Sequence, residues 1–446
     1  MPVGLVVQFG SLHVRVRHGS SSISFSKLGK YQSILYAQLA EHVTVSPQDR
    51  LVSSVVSGEH EINGGPGLHI GDKVVLERQH LQQLLDALGK KGYRVIGPTI
   101  RDQAIVYDEV SSLKDLPVGW TDEQNAGTYR LKKRADSALF GYVVGPHSWK
   151  RFLLEPEVRL WRAKRAEIGL KTVRSKEETP RFAFVGVRSC ELHAIAVQDK
   201  IFTAGEYVDE FYKSRRESLF VVAVNCVQAG GTCFCTSMKT GPKATSGFDV
   251  ALTEVVEADR HYFLAEAGTE IGATVLGEVT HKESSEEERA AAEGAVEKCS
   301  TQMGRTLDTT EIKELLYRNY ENPRWEDVAS RCLTCGNCTM VCPTCFCTTV
   351  EDYTDLSGQL AERRRRMDVC FSMDFSYIHG GSIRYSPKAR YRQWMTHKLA
   401  TWIDQFGVSG CVGCGRCITW CPVAIDITEE ARAIRESELS HKLVIE

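Results

Sequence analysis

Two cysteine runs restrict the fold of this 446-residue chain more than any other feature. In each run, three cysteines are separated by two residues, and a fourth follows after three more residues and precedes a proline. The runs are Cys332-x2-Cys335-x2-Cys338-x3-Cys342-Pro343 and Cys411-x2-Cys414-x2-Cys417-x3-Cys421-Pro422. With this spacing three thiolates bind one [4Fe–4S] cubane, while the fourth binds the other cubane of a two-cluster domain. The chain is therefore predicted to hold two such clusters.

The swapped fourth cysteine gives each predicted cluster its ligands. We expect one cluster to be bound by Cys332, Cys335, Cys338 and Cys421, and the other by Cys411, Cys414, Cys417 and Cys342. Zinc is the alternative occupant, but structural zinc sites use two separated pairs of ligands, which this spacing does not provide. Unlike a small ferredoxin, the chain has a long insert between the runs, residues 343–410, which we expect to form a helical lid or a docking surface.

The composition excludes several classes of protein. With 42% apolar and 25% charged residues the chain is typical of a globular protein, and a net charge of -2 argues against nucleic acid as the main partner. The basic run Arg363–Arg366 is interpreted as the solvated face of a helix. Because no membrane span or signal peptide is recognisable, we predict a cytoplasmic protein without a membrane partner. In that reducing compartment, 16 cysteines indicate metal or redox chemistry rather than disulfides.

The middle of the chain has the pattern of a parallel α/β fold. Two apolar runs of strand length, Phe182–Val187 and Leu219–Val224, flank a predicted helix over Glu191–Phe202. The fold class is therefore α/β (α+β overall), with a parallel βαβ middle domain followed by a mostly helical ferredoxin-like 4Fe-4S dicluster domain. Further along, Ser386-Pro387 marks a helix start, and this helix is expected to end near Gly407.

Composition shifts divide the chain into four predicted regions. They are an N-terminal extension (1–72), a small α+β region (73–165), an α/β domain with a third metal site (166–305) and a dicluster domain (306–446). Residues 1–72 have two interpretations. Because no methionine lies between Met1 and Met238, they are either an over-extended gene prediction or a genuine small extra domain.

A third metal site is expected in the middle domain. Cys190 and Cys226 each lie just past one of the two predicted strands, where the carboxyl ends of neighbouring parallel strands form a crevice. Cys233 and Cys235 follow in the next loop, so the four thiols could bind a third [4Fe–4S] cluster. The pentapeptide Thr-Cys-Phe-Cys-Thr of residues 232–236 recurs at 344–348, which makes Cys345 and Cys347 alternative ligands. Buried, inert thiols are the other interpretation.

Signatures of a substrate site are absent from the sequence. No dinucleotide-binding glycine motif, P-loop or nucleophile–base motif occurs, so no catalytic residue is assigned. The isolated histidines His147, His379 and His397 are interpreted as structural. Clusters without a substrate site indicate a carrier of electrons between partner proteins.

Several stretches beyond the cysteine runs resemble the beta subunit of soluble, NADP-linked [NiFe] hydrogenases, also called sulfhydrogenases. The resemblance covers about residues 73–446 and is carried by VIGPTIRDQAIVYDE (95–109), LPVGWTDEQ (116–124), LFGYVVGPHSWKRFL (139–153), VGVRSCELHAI (185–195), NCVQAGGTCFCTSM (225–238), CFSMDFSYIHGGSIR (370–384) and CVGCGRCITWCPV (411–423). The electron-transfer subunit of anaerobic sulfite reductase is similar to the same family.

The resemblance implies an electron-transfer subunit of a heterotetrameric oxidoreductase. Its partners would be a flavoprotein subunit, which binds FAD and NAD(P), and the small and large subunits of the hydrogenase, with sulfur or polysulfide reduction as a further activity. The chain lacks the paired R-x-C-x-x-C and D-P-C-x-x-C motifs that hold nickel, so hydrogen would be split on a partner. Three alternatives remain: a sulfite reductase electron-transfer subunit, a sulfur-reducing enzyme in its own right, and a zinc-bearing structural adaptor. The sequence leaves open the direction of electron flow, NAD versus NADP, and whether sulfur or sulfite is a substrate.

Overall fold

The computed structural model describes residues 15–18, 21–24, 67–173 and 179–445. The chain divides into two units, residues 1–64 and residues 65–446. In the first unit the described elements are strands β1 (Arg15–His18) and β2 (Ser21–Ser24), which pair in antiparallel fashion. The remaining predictions for residues 1–66 lie outside the described residues.

The second unit contains both strands and helices, which confirms the predicted mixed fold class. Its strands are β3 (Lys73–Glu77), β4 (Arg94–Arg101), β5 (Ala104–Glu109), β6 (Trp120–Asn125), β7 (Thr128–Lys133), β8 (Glu157–Arg165), β9 (Leu170–Val173), β10 (Phe182–Val187), β11 (Phe220–Val224), β12 (Val250–Val256), β13 (His261–Ala267), β14 (Lys282–Glu283), β15 (Thr348–Thr354), β16 (Leu360–Met367), β17 (Tyr377–Ile378) and β18 (Gly381–Ser382). Its helices are α1 (Leu81–Lys90), α2 (Lys150–Leu153), α3 (Ser189–Phe202), α4 (Glu210–Glu217), α5 (Glu270–Gly277), α6 (Glu286–Ser300), α7 (Ile312–Arg318), α8 (Arg324–Arg331), α9 (Asn337–Met340), α10 (Pro387–Thr396), α11 (Trp402–Phe406), α12 (Arg416–Thr419) and α13 (Ile427–Ile445).

An eight-stranded sheet forms the centre of the unit, in the order β14-β3-β13-β12-β11-β10-β4-β5. Strands β4, β10, β11 and β12 are parallel neighbours, and helix α3 connects β10 to β11 as the predicted βαβ pattern requires. Both central strands are buried along their whole length. Alternate side chains of β10 enter two different cores, Ala183 and Val185 one and Phe182 and Phe184 the other, because successive strand residues point to opposite faces.

The sheet crosses the predicted boundary at residue 165. Strands β3, β4 and β5 from the expected small α+β region pair with β13 and β10 of the expected α/β domain. Residues 65–446 accordingly form one compact unit. Apolar patterning identifies a strand but not its distant pairing partner, so the sequence did not indicate this shared sheet.

The insert between the cysteine runs begins with strands rather than with a helix. Strands β15 and β16 join β8 and β9 in a four-stranded antiparallel sheet, in the order β15-β16-β8-β9. The basic run Arg363–Arg366 lies on β16, so its prediction as a helix face is wrong. Acidic residues on the neighbouring strands pair with it; for example, Arg363 lies 2.7 Å from Asp352 and Arg364 lies 2.6 Å from Glu157. These cross-strand partners are remote in sequence.

The C-terminal part packs its helices around a separate apolar core, to which α7, α8, α10 and α13 contribute. Helix α10 starts as predicted, with Ser386 accepting a hydrogen bond from the backbone N–H of Ala389 and Pro387 in the first turn. Between α10 and α11, residues His397–Thr401 form a π-helical turn, and the helix ends at Gly407 in the left-handed conformation (φ 70°). This helix leads into the second cysteine run.

Candidate iron–sulfur centres

The two cysteine runs share one local backbone conformation. Thr334 and Gly413, each two residues after the first cysteine of its run, have φ angles of 51° and 65°. Gly336 and Gly415, each directly after the second cysteine, have φ angles of 77° and 74° and precede the short helices α9 and α12. Glycine is required at 415, because a Cβ there would lie 2.3 Å from the backbone oxygen of Thr232. Both runs therefore present their first three thiols in the same manner.

The structure brings the four thiols predicted for the first cluster to one cavity of about 450 Å³. The cavity is lined by Cys332, Cys335, Cys338 and Cys421, together with apolar side chains such as Phe371 and Trp394. Burial raises the pKa of the Cys338 thiol well above its usual value, and the neighbouring thiols of Cys332 and Cys421 raise it further. Such thiols stay neutral when free, and a bound metal would deprotonate them.

The four thiols predicted for the second cluster also lie together. Burial raises the pKa of Cys411 to about 12, with Cys414 and Cys342 among the groups that raise it. Cys417 likewise has a raised pKa, first because of burial and then because of Cys411, Cys414 and Cys342. Although Cys342 belongs to the first run, its thiol faces the second. Cys417 in turn lines the first cavity, so the two sites are adjacent.

A buried lysine that the sequence did not single out contacts the second site. Lys398 lies in the π-helical turn and is 3% exposed. Its Nζ donates hydrogen bonds to Cys342 Sγ at 3.2 Å, Thr344 Oγ1 at 3.2 Å, Cys345 Sγ at 3.5 Å and Gly410 O at 3.2 Å. A hydrogen bond from Cys345 lowers the pKa of Cys342 well below its usual value, and although burial opposes this, the charge of Lys398 lowers it further. A thiolate at Cys342 is therefore favoured.

A second buried lysine supports the same segment from helix α2. Lys150 Nζ donates to the backbone oxygens of Cys342 at 2.9 Å and Cys345 at 3.0 Å. Burial lowers the pKa of Lys150, although the nearby thiols oppose this effect. Lysine inside an otherwise apolar stretch was the signal available for Lys398, but solvated lysines give the same pattern.

The middle-domain cysteines converge as well. Cys190, Cys226, Cys233 and Cys235 line one cavity of about 350 Å³, and Cys414 of the second run lines it too. Cys299, from the last turn of α6, is a fifth middle-domain thiol at this cavity that the sequence did not indicate. Cys345 and Cys347 do not line it; both lie beside the two buried lysines, where Cys370 contacts Cys347.

A buried ion pair joins the second run to the middle domain. Arg416 of α12 and Glu191 of α3 form a salt bridge and are 0% and 1% exposed. Tyr107 Oη and Trp149 Nε1 also donate hydrogen bonds to the Glu191 carboxylate, at 3.0 Å each. The carboxylate therefore has a partner on each accessible side, and it holds α12 against α3.

Other sequence predictions can be located in the structure. His147 and His397 interact with Arg151 and Gln405, and His379 is exposed, so none of the three lies among the cysteine sites. Across residues 67–173 and 179–445, no three His, Cys, Asp or Glu side chains are close enough to hold one metal ion. A cubane spreads its four thiolates over four irons, so this spacing suits a cluster better than a zinc ion. No helix of the described residues is long and apolar enough to span a membrane.

Comparison with known proteins agrees with these sites. Residues 331–425 match the family described as a 4Fe-4S dicluster domain, which defines this part as an iron–sulfur domain. The chain is 27% identical to sulfhydrogenase 2 subunit beta of Pyrococcus furiosus over 366 residues, which is 81% of this chain and 98% of that protein. The resemblance to sulfhydrogenase beta subunits is thereby confirmed. No solved structure matches the chain.

The Arg416–Glu191 pair yields a stability prediction. Replacing Glu191 with Ala leaves a buried guanidinium without its counterion, and we expect the free energy of unfolding to fall by roughly 3–5 kcal/mol. Anaerobic urea denaturation measures the change. Glu436→Ala, which removes an exposed partner of Arg432 on α13, is the matched control and should have little effect. Equal stability of the two variants would contradict a stabilising role for the buried pair.

Proposed function

We propose that this chain relays electrons between a flavoprotein subunit that oxidises or reduces NAD(P)H and a [NiFe] hydrogenase module. The dicluster domain and the similarity to a sulfhydrogenase beta chain support an iron–sulfur electron-transfer role within an oxidoreductase complex. The proposal also assigns the ligands: Cys332, Cys335, Cys338 and Cys421 for one [4Fe–4S] cluster, and Cys411, Cys414, Cys417 and Cys342 for the other. The adjacency of these two thiol sets is the observation that carries it.

The residues of the chain have three tasks in this function. The cysteines hold the clusters, which when bound supply reversible one-electron transfer. Aromatic and apolar side chains such as Phe371, Tyr391 and Trp394 exclude water from the first site. Buried cations beside the second site, Lys398 above all, adjust its reduction potential, because potentials depend on hydrogen bonds to the sulfurs and on local charge.

The first site is the one that faces solvent. Cys335 is exposed, and the side chains of Leu333 and Met340 beside it are 61% and 54% exposed. Cys342, Cys411 and Cys414 of the second site are buried. Exposed apolar side chains around a redox site are typical of a protein–protein contact. We infer that a partner subunit docks over the first site.

The function is tested on the native complex. Purification from its source should recover a flavoprotein and a nickel-containing subunit with this chain, and the complex should reduce NADP or NAD with hydrogen. Sirohaem in place of nickel would instead support the alternative, the electron-transfer subunit of an anaerobic sulfite reductase. Recovery of neither group, with zinc in place of iron, would contradict both.

The exchanged fourth ligand gives a prediction on iron binding. Cys342→Ser should remove the cluster bound by Cys411, Cys414 and Cys417, and so about four of about eight iron atoms from the two sites, while the first cluster persists. Iron analysis and electron paramagnetic resonance of the reduced protein measure this. Cys370→Ser is the control, because Cys370 belongs to neither ligand set. Loss of the cluster at Cys332–Cys338 would overturn the assignment.

A second prediction concerns Lys398. Lys398→Met removes a hydrogen bond and a positive charge from the Cys342 sulfur, which should lower the reduction potential of the second cluster. A charge-assisted hydrogen bond contributes about 1.5–3 kcal/mol, and roughly 60 mV corresponds to each 1.4 kcal/mol of lost preference for the reduced state. We expect a decrease of tens of millivolts, measured by potentiometric titration. Lys388→Met, on the same helix but paired with Glu326, should leave the potential unchanged.

The docking surface supplies a third prediction. Leu333→Asp should raise the KM for the electron-transfer partner several-fold, because it places a charge in an apolar contact, while the iron content stays constant. Leu356→Asp is the control, since Leu356 is fully exposed in the turn between β15 and β16. If both variants behave like the wild type, the partner does not dock over Leu333.

A further inference from the structure

We propose that the middle domain binds a third [4Fe–4S] cluster, with Cys190, Cys226, Cys233 and Cys235 as ligands. The topology of the sheet creates the site. Strands β10 and β11 are parallel neighbours, so the segments that follow them emerge at the same edge. Cys190 lies in the first turn of α3 after β10, and Cys226 lies two residues beyond the end of β11. The loop after Cys226 returns Cys233 and Cys235 to the same cavity.

Four of the five middle-domain thiols at this cavity form the closest set. Cys235 and Cys226 both act on Cys190, and the same two thiols act on Cys233. Cys299 interacts with Cys226 and Cys235 alone among these thiols. It comes from α6, outside the strand ends that shape the crevice. We therefore assign Cys299 to the rim of the site and the other four to the cluster.

The charge at the cavity favours an anionic occupant. Arg188 lines it and is 1% exposed. Its guanidinium donates to the backbone oxygens of Phe140 at 2.7 Å and Tyr142 at 3.0 Å, and its Nε has no hydrogen-bond partner. Within the part of the chain that the structure describes, Arg188 forms no salt bridge with a carboxylate. A buried cation without a counterion is strongly unfavourable.

A cluster with four thiolate ligands provides that counterion. Burial keeps the free thiols neutral, since it raises the pKa of Cys190 and Cys233 well above the usual value. Metal binding deprotonates such thiols, and the resulting negative charge lies beside Arg188. The cavity thus has the donor set, the shape and the countercharge that a [4Fe–4S] cluster requires.

The site abuts the second cysteine run with no side chain between their backbones. The N–H of Phe234 donates to the Gly413 oxygen at 2.8 Å. A Cβ at Gly413 would lie 2.7 Å from the Cα of Cys235. Cys414, a proposed ligand of the second cluster, lines the same cavity as the four middle-domain thiols. A cluster here would extend the electron relay from the dicluster domain into the parallel sheet.

Iron content tests the proposal on the full chain, reconstituted anaerobically with iron and sulfide. Three cubanes give about twelve iron atoms per chain and two give about eight. A value near twelve, with matching acid-labile sulfide, supports the third site. A firm value near eight overturns it and leaves the dicluster proposal intact, whereas a value well below eight contradicts the dicluster assignment itself. Zinc in the protein in place of the third set of irons also overturns the site.

Two variants separate the ligand set from its surroundings. Cys233→Ser/Cys235→Ser should lose about four iron atoms and one cluster signal in electron paramagnetic resonance, while the two dicluster signals remain. Cys299→Ser is the matched control, from the same cavity, and should keep about twelve. Loss of four irons in Cys299→Ser, with retention in the double variant, would overturn the assigned ligands. The wild-type iron count decides the existence of the site even if the double variant fails to fold.

Discussion

The salt bridge between Arg416 and Glu191 fixes the arrangement on which the remaining sites depend. Arg416 lies between two cysteines of the second run, and Glu191 lies directly after Cys190 on α3. One buried contact therefore sets the position of the second cysteine run relative to the parallel sheet. Because both groups are fully desolvated, neither can leave the other without a large loss of free energy. The pair acts as a rigid connection between two regions that the sequence pattern treats as separate domains.

Positive charge is concentrated around the inner thiols. Lys398 contacts Cys342, Lys150 binds the backbone next to it, Arg416 lies beside Cys414, and Arg188 lines the middle-domain cavity. At the first site Arg390 is the buried cation, and its guanidinium donates to the backbone oxygens of Phe371 and Tyr385. Buried cations stabilise a reduced cluster, which carries the greater negative charge. We therefore expect the inner position to hold an electron more readily than the solvent-facing one.

The sequence predicted features that depend on short-range chemistry. Cysteine spacing indicated the dicluster domain, continuous apolar runs indicated β10 and β11, and Ser386-Pro387 and Gly407 indicated the ends of one helix. Long-range pairing was beyond its reach. The arginines of β16 are paired by acidic residues on other strands, and their local pattern is equally compatible with a solvated helix. Lys398 was missed for a related reason, since its role depends on a π-helical turn that places the ammonium beside a thiol distant in sequence.

The repeated pentapeptide Thr-Cys-Phe-Cys-Thr acquires a physical meaning from its two positions. In the first copy, Thr232 Oγ1 forms a hydrogen bond with Thr419 Oγ1 at 2.8 Å, and the Phe234 N–H binds Gly413 O. In the second copy, Thr344 Oγ1 donates to Gly410 O at 2.6 Å. Both copies thus pack against residues 410–419. Thr232 and Thr344 are each 0% exposed, so every contact replaces water at the second cysteine run. The repeat therefore encloses the second site from two sides, which explains why that site, and not the first, is shielded from solvent.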